Sequence, residues 1–400
     1  MILKNTTTLL LFLIFLSGCG FNSGTQIQEI PSPASGESMY PRLFTDNTGT
    51  VFMSWMERKG DLTSLKYSSF NEGKWDAPIE ISSDSGWFIN WADFPSIIAQ
   101  NGQPVVAHWL NKMEGGTYAY SINMSVFDST WSSAFKPHED NTATEHGFAS
   151  MVPASDSTFM AVWLDGRETA HRADDEYGDL QKAMTLRGAL ISHSGQVLET
   201  YLLDESVCDC CNTSITKTDS GFIVAYRNRT EDEVRDIYTV TIKDGIVTKP
   251  KPVHSDHWEI AACPVNGPAI SYHQNTIALS WFTADEGKAK VKLALSANGG
   301  KQFSSPIILD EENPTGRVDL EMNEETIWVS WLTSENEKDL LKVASYSIQG
   351  EKKREYEIGG ISKDRNAGFP QITAYKDGLM IATTHIENDQ SRIVTKYLAD

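Results

Sequence analysis

The chain has 400 residues, of which 54 are Asp or Glu and 34 are Lys or Arg, so its formal net charge is -20. A nucleic-acid partner needs a basic face, and this balance argues against one. The apolar fraction of 40% is ordinary for a folded chain and supports a sizeable hydrophobic core.

The first residues predict a secretory signal. Lys4 precedes an apolar run at 9–16 that is too short to span a bilayer. The run ends in Leu16-Ser17-Gly18-Cys19, which resembles the lipobox of bacterial lipoproteins. The resemblance implies cleavage before Cys19 and lipidation of its thiol. The alternative is an ordinary signal peptide with an incidental cysteine.

This motif divides the chain into three parts. We expect a signal peptide at 1–18, a lipidated tether at 19–25 and one folded domain at 26–400. The lipid would attach the domain to the cell membrane from outside the cytoplasm. In a Gram-negative cell that membrane would be the outer membrane.

A repeat organises the folded part. Each unit reads as a short apolar strand, a polar turn and a second strand that ends in an aromatic residue, with further β-forming runs before the next unit. Seven units follow one another, 50 to 63 residues apart, and their second strands end at Trp55, Trp109, Trp163, Tyr226, Trp281, Trp331 and Thr383, the seventh unit having lost its aromatic residue. About four strands fit in each unit, a pattern typical of a β-propeller blade.

The repeat therefore predicts an all-β protein, a β-propeller of four-stranded blades. Seven blades are favoured, and six blades with one unit misread are the alternative. The last unit lacks a fourth strand, while the segment 26–30 is a strand without a unit. We expect this segment to pair as the outer edge of the seventh blade and to close the ring.

One turn carries a family resemblance. Ser296 to Phe303 resembles the Asp-box of bacterial sialidases and related propellers (BNR repeats), with Asn298 in place of Asp and Phe303 in place of Trp. Four further motifs look like a set found in sialidase-like bacterial secreted proteins, namely Trp163–Arg167, Cys208–Cys211, Tyr226–Arg229 with the neighbouring Arg235–Ile237, and Cys263–Pro268. The resemblance implies a sialidase-like propeller, and the box itself implies a structural turn.

Unusual residues concentrate at one end of the predicted ring. In a propeller, the loops that lead into the first strand of each blade and the loops that leave its second strand lie at the same end of the ring. By analogy with other propellers, ligands are expected to bind at this end. We expect this charged face to bind a glycan or a protein. Its candidate residues are Glu145, Asp165, Arg167, Arg227, Arg229 and Arg365.

The cysteines form a second candidate site. Cys208, Cys210 and Cys211 precede one blade, and Cys263 holds the repeat position equivalent to Cys208 in the next blade. Adjacent blades should therefore bring the four together. Outside the cytoplasm they would form disulfides, or they would bind copper or zinc as thiolates. In the second case His146, His254 or His257 would be possible additional ligands.

The resemblance also raises the question of hydrolysis. Sialidases use a tyrosine nucleophile, an acidic partner and arginines that clamp the substrate carboxylate. The candidates for the chemistry are Asp93, Asp165, Glu145 and Tyr40, and Arg42 is the candidate for the first clamp residue. The sialidase motif [FY]-R-I-P is altered here to Tyr40-Pro41-Arg42-Leu43, and a one-residue shift turns the arginine to the other face of its strand. The sequence thus favours binding over hydrolysis.

Overall fold

A computed structural model of the chain describes residues 27–172, 179–335, 338–362 and 364–399. The proposed signal peptide, the tether and Cys19 lie outside the described residues. The described chain is built almost entirely of antiparallel strands, with short 3₁₀ turns at Arg167–Thr169, Leu180–Lys182, Asp285–Gly287 and Arg365–Ala367. Among these residues, no helix is long and apolar enough to cross a membrane.

The strands form seven separate antiparallel sheets, the blades of a β-propeller. Blade 1 contains β2 (Glu37–Thr45), β3 (Val51–Lys59), β4 (Leu62–Asn71), β5 (Lys74–Trp75) and β6 (Ile79–Asp84). Blade 2 contains β7 (Ser96–Gln100), β8 (Gln103–Lys112), β9 (Tyr120–Asp128) and β10 (Thr130–Trp131). Blade 3 contains β11 (His146–Ser155), β12 (Thr158–Asp165), β13 (Met184–Ser192) and β14 (Val197–Val207).

The remaining blades follow in chain order. Blade 4 contains β15 (Ser214–Thr218), β16 (Gly221–Arg227), β17 (Ile237–Lys243), β18 (Ile246–Val247) and β19 (Lys251–Pro252). Blade 5 contains β20 (Ala269–His273), β21 (Thr276–Thr283), β22 (Lys290–Ser296) and β23 (Ile307–Asp310). Blade 6 contains β24 (Pro314–Met322), β25 (Thr326–Glu335), β26 (Lys338–Ser347) and β27 (Lys352–Ile361). Blade 7 contains β28 (Gln371–Tyr375), β29 (Gly378–Glu387), β30 (Gln390–Ala399) and β1 (Ile27–Ile30).

The ring closes through the first described strand. β1 pairs antiparallel with β30, with Ile27 opposite Leu398 and Ile30 opposite Thr395. The first strand of every blade contacts the first strand of the next, and β28 of blade 7 contacts β2 of blade 1. The seven-bladed prediction is therefore confirmed, and β1 covers an edge that would otherwise expose unpaired backbone groups.

Aromatic residues at the ends of the second strands pack between the blades. Trp55, Trp163, Trp281 and Trp331 are almost fully buried. The indole nitrogen of Trp163 donates to Asp165 at 2.8 Å, so its polar atom is satisfied where water is excluded. Replacing one of these tryptophans with alanine should cost about 3–5 kcal/mol. The aromatic residues that recur in the sequence are thus the residues that fill the core between neighbouring blades.

Chain direction places the candidate residues at one end of the ring. β12 ends at Asp165, β14 ends at Val207 and β16 ends at Arg227, while β11 begins at His146. The Cys208 amide donates to the Arg227 carbonyl at 3.0 Å, which joins the ends of blades 3 and 4. We call this end the functional end of the ring.

Removing the apolar contacts of β1 should weaken ring closure. Ile27 and Ile30 pack against the cores of the neighbouring strands, while Gln28 and Glu29 between them are exposed. We expect the double substitution Ile27→Ala and Ile30→Ala to lower the free energy of unfolding by about 2 kcal/mol or more, measured by urea denaturation. The control pair Gln28→Ala and Glu29→Ala should change it by less than about 0.5 kcal/mol. Equal effects of the two pairs would contradict closure by β1.

Candidate functional site

Four cysteine side chains meet at the functional end. The sulfur atoms of Cys208, Cys210 and Cys211 lie within 4.8 Å of one another, and those of Cys208 and Cys211 are 3.4 Å apart. Cys263, from the loop between blades 4 and 5, hydrogen-bonds to Cys210. The structure thus brings together the four cysteines that the repeat positions relate, and none of the four is in a disulfide.

A buried guanidinium stabilises one of these sulfurs as a thiolate. Arg235 Nη1 donates to Cys208 Sγ at 3.3 Å, and both side chains are fully buried. Burial alone raises the pKa of Cys208, but hydrogen bonds from Cys210 and Cys211 and the charge of Arg235 outweigh it and hold that pKa well below its usual range. The same contacts raise the pKa of Cys210, which therefore remains a thiol donor. This arrangement gives a charged sulfur surrounded by further sulfurs.

Close backbone packing holds the two cysteine loops together. A Cβ atom at Gly267 would lie 2.0 Å from the carbonyl oxygen of Asn212, so only glycine fits there. Arg227 Nη2 donates to the carbonyls of Asn266 and Phe282 at 2.8 Å each, and its Nη1 donates to the carbonyl of Arg235 at 2.6 Å. The glycine and the arginine fix the position of Cys263 relative to the other three cysteines.

Two of the arginines that were expected to bind a ligand have structural partners instead. Arg227 is 1% exposed and donates to backbone carbonyls, as described above. Arg229 is equally buried, and its Nη2 donates to Glu233 at 2.5 Å. Glu233 also accepts from Arg235 at 2.7 Å. These guanidiniums face the protein interior, so the sequence expectation that they contact a ligand directly is corrected.

The other two predicted clamp arginines lie apart. Arg42 Nη1 donates to Gln371 Oε1 at 2.5 Å near the central channel. Arg365 is exposed and begins the 3₁₀ turn after blade 6. The structure does not bring these arginines together into a clamp for one carboxylate.

Asp165 and Arg167 belong to a separate polar cluster. Arg167 binds Asp165 through two hydrogen bonds of 2.7 Å, and its Nη2 lies 3.2 Å from Asp140 Oδ2. The same Asp140 oxygen is 3.0 Å from a ring nitrogen of both His138 and His146, whose rings stack 4.0 Å apart. A metal ion at this oxygen would be repelled by the adjacent guanidinium, so the geometry fits a hydrogen-bonded cluster better than a metal site.

The histidines considered as partners of the cysteines lie elsewhere. His146 contacts Asp140, as stated above, and His254 Nδ1 is 2.7 Å from Asp256 Oδ1. His257 is exposed. Among the described residues, the group of possible metal ligands at the cysteine cluster consists of Cys208, Cys210 and Cys211.

The carboxyl groups of Asp93 and Glu145 share one phenol. Tyr120 Oη lies 2.9 Å from Asp93 Oδ2 and 2.6 Å from Glu145 Oε1. A single phenol proton cannot satisfy two carboxylates, so one of the acids must carry a proton. In agreement, burial raises the pKa of Asp93 to about 7 and that of Glu145 to about 8. A Cβ atom at Gly147 would lie 1.9 Å from Asp93, so this packing also requires a glycine.

The two tyrosines considered for nucleophilic chemistry, Tyr120 and Tyr40, are both buried. Burial, with the charges of Asp93 and Glu145, raises the pKa of Tyr120 well above its usual value. Tyr40, the candidate named from the sequence, is buried, and burial raises its pKa to about 12. Its hydroxyl lies 3.5 Å from the Asn366 side chain. An adjacent carboxylate can activate a tyrosine as a general base, and Tyr120 has such neighbours, but both tyrosine side chains are buried away from solvent.

Sequence reasoning missed several residues of these clusters. Tyr120 begins the third strand of blade 2, a position without a motif. Arg235 belongs to a motif of the family resemblance, but its contact with Cys208 was not predicted. His138 lies in a loop outside the repeat positions that were compared.

Comparisons with known proteins agree on the fold. No family model and no curated protein matches the sequence. Among solved structures, an ulvan lyase bound to -[GlcA(1-4)Rha3S]- is similar with a TM-score of 0.55 and 11% identity, over 93% of this chain and 96% of that chain. A Hadza microbial sialidase has a TM-score of 0.40 and 13% identity, over 74% and 63% of the two chains. At 11% identity the likeness to the ulvan lyase shows the fold alone, and the strand pairing makes this chain a seven-bladed β-propeller.

The raised pKa of Glu145 should make stability depend on pH. The folded protein holds a proton on this acid up to about pH 8, whereas the unfolded chain loses it near its ordinary pKa. Stability from this group is therefore complete at low pH and is lost as pH rises toward 8. We expect the stability advantage of the wild type over Glu145→Gln to fall by roughly 1–3 kcal/mol between pH 5 and pH 8, measured by urea unfolding. The exposed control Glu205→Gln should show no such change, and parallel profiles for wild type and Glu145→Gln would contradict the prediction.

Proposed function

We propose that this protein binds a soft metal ion, Cu(I) or Zn²⁺, through its cysteine cluster. The observation that carries the proposal is the meeting of four sulfur atoms from two loops around the Cys208 thiolate. Thiolates are preferred ligands of both ions, and metal binding requires deprotonated sulfur. Cys208 supplies the first charge, and a bound ion would replace the thiol protons that now bridge the sulfurs.

The spacing of the sulfurs supports this chemistry. Four sulfurs at 2.3 Å from a tetrahedral zinc ion lie about 3.8 Å from each other. The triplet already lies within 4.8 Å, and Cys208 and Cys211 are 3.4 Å apart, so small side-chain adjustments reach that spacing. The buried charges of Arg227, Arg229 and Arg235 would offset the negative charge of a thiolate complex.

Oxidation is the competing fate of these thiols. Outside the cytoplasm, Cys208 and Cys211 are close enough to form a disulfide after a small movement. A bridge between Cys210 and Cys263 is the other close pairing. Both bridges together would remove the metal site, so the redox state of the purified protein decides between the two roles.

We expect the full-length protein, purified in detergent under reducing conditions, to bind about one equivalent of Cu(I) or Zn²⁺. Cys208→Ser should weaken the binding at least tenfold, because it removes the stabilised thiolate. The control His257→Ala changes an exposed histidine outside the cluster and should bind like the wild type. Competition titration with chromophoric chelators for each ion measures both affinities. A reduced protein that binds neither ion would overturn the proposal.

The location of the protein follows from the lipobox-like motif. We propose that Cys19 carries a lipid and attaches the propeller to the outside of a cell membrane, in the outer membrane if the cell is Gram-negative. The motif Leu16-Ser17-Gly18-Cys19 after a short apolar run supports this assignment.

The anchor can be tested directly. Cys19→Ala should leave an unprocessed precursor, because the lipidated residue and the cleavage site are lost together. Phase separation in detergent measures the loss of the lipid, and the mass of the N-terminal peptide shows whether the signal peptide has been removed. The matched variant Ser17→Ala keeps a small residue beside the cleavage site and should be processed normally. A processed, detergent-partitioning Cys19→Ala protein would refute lipidation.

Glycan binding is the second candidate function. The specific observation in its favour is a pocket of about 500 Å³ between the loop 137–140 and blade 3, lined in part by Arg167 and Arg187. The similar ulvan lyase was solved with a glucuronate-containing saccharide, which makes a saccharide a reasonable ligand class to test. We place this function in the pocket because the buried arginines beside the cysteines are unavailable to a ligand.

A further inference from the structure

The four cysteines of the cluster differ in their access to solvent. Cys263 is exposed and Cys210 is half-buried. Cys208 and Cys211 are only 0% and 1% exposed. A metal carrier outside the protein can therefore contact Cys263, whereas it cannot contact the two inner sulfurs.

Cys210 connects the exposed sulfur to the buried pair. It hydrogen-bonds to Cys263 and also to Cys208 and Cys211. The sulfur atoms of Cys208, Cys210 and Cys211 lie within 4.8 Å of one another, and in the described part of the chain Cys263 is not a member of this group. The four sulfurs thus form a path from the surface to the interior, with Cys263 at its outer end.

The inner side of the cluster is closed to a cation. Arg235 donates to Cys208 at 3.3 Å and is fully buried. The charge of Arg227, which is 1% exposed, acts on Cys211. These guanidiniums repel a metal cation, and the repulsion is strong where water is excluded. An incoming ion therefore reaches the buried sulfurs from the side of Cys263.

The chemistry of Cys263 suits the first contact with an ion. A hydrogen bond from Cys210 lowers its pKa, while burial and the charges of Cys208 and Asp209 oppose this effect. The thiolate is the form of cysteine that binds metals. An exposed thiolate can bond to an ion while a carrier still holds that ion, whereas a buried sulfur can bond only to an ion that its carrier has released.

We propose that Cys263 is the entry ligand for Cu(I): it accepts the ion from a copper carrier outside the protein, passes it through Cys210 to the buried sulfurs and is then released. The proposal rests on the metal-binding function proposed above and names its ion, its route and its partner. Cu(I) is the ion because thiolates select it and because the inner group has three sulfurs, whereas a closed zinc site has four ligands.

Each step exchanges one bond to copper for another, and the oxidation state of the ion does not change. The Cys263 thiolate bonds to Cu(I) as one bond between the ion and its carrier breaks. Cys210 then replaces the second carrier ligand, and its S–H proton passes to water. The Cys208 thiolate displaces Cys263, which leaves as a thiolate. Cys211 completes the group and releases its own proton to water.

Rates of copper transfer in both directions test the proposal. The probe is Cu(I) held by bathocuproine disulfonate, whose colour is lost on transfer. Mixing this complex with the reduced full-length protein in detergent, without oxygen, gives the rate of uptake, and adding excess chelator to the loaded protein gives the rate of release. We expect Cys263→Ser to slow both rates by about tenfold or more and to change the affinity by less than about threefold. The two rates should fall together because an entry ligand lowers the barrier without changing either end state.

Matched variants separate entry from binding. Ala262→Ser places the same hydroxyl on the neighbouring exposed residue and should exchange copper like the wild type. Cys211→Ser changes a buried ligand and should weaken the affinity mainly through faster release. Thermal unfolding checks that each variant is folded.

The outcomes distinguish the entry role from the metal-binding function. If Cys263→Ser exchanges copper at wild-type rates, the entry role is wrong while metal binding stands. If its affinity falls because release alone becomes faster, Cys263 is a permanent ligand and the entry role is again wrong. If the folded wild type binds Zn²⁺ but not Cu(I), the inference fails and the metal-binding function stands. If it binds neither ion, both fail.

Discussion

The functional end of this propeller depends on one buried arginine. The guanidinium of Arg227 donates to carbonyls from three separate segments, at Arg235, Asn266 and Phe282. A buried charge is costly unless hydrogen bonds satisfy it, and here the backbone supplies those bonds. Removing the guanidinium would take this donor from three inward-facing carbonyls, and the loop that carries Cys263 would lose its attachment to blade 4 through Asn266. The sulfur cluster is therefore a consequence of how blades 3, 4 and 5 are joined.

The same packing determines the chemistry of the sulfurs. Arg235 is held in place by Glu233, which also pairs with Arg229, so the positive charge next to Cys208 is fixed. In a buried site a fixed charge acts more strongly than it would in water, and this favours the thiolate over the thiol. The guanidiniums that were expected to hold a substrate carboxylate instead stabilise negative sulfur. A cluster of this kind suits a soft cation better than it suits an anionic sugar.

The fold was predictable from the sequence because a propeller repeats its own core. Each blade buries an aromatic residue such as Trp163 or Trp281 at the same position, and that requirement is visible as a period. The meeting of Cys208 with Cys263 was predictable for the same reason, since equivalent positions of neighbouring blades adjoin. The partner of a charged side chain was not predictable, because spacing does not tell whether a guanidinium meets solvent, a carboxylate or a backbone carbonyl. Arg227 and Tyr120 both show this limit: their roles depend on atoms contributed by other blades or other strands.

The ring also separates the attachment point from both candidate sites. β1 is the outer strand of blade 7, so the chain that precedes Ile27 joins the propeller at the rim of that blade. In a closed ring of seven, blades 3 and 4 are the farthest from blade 7. The cysteine loops lie between blades 3 and 5, and the pocket of Arg187 lies between blade 3 and the loop 137–140 that leads into it. Both candidate sites therefore lie across the ring from the strand that closes it, so their loops are built by blades that take no part in ring closure.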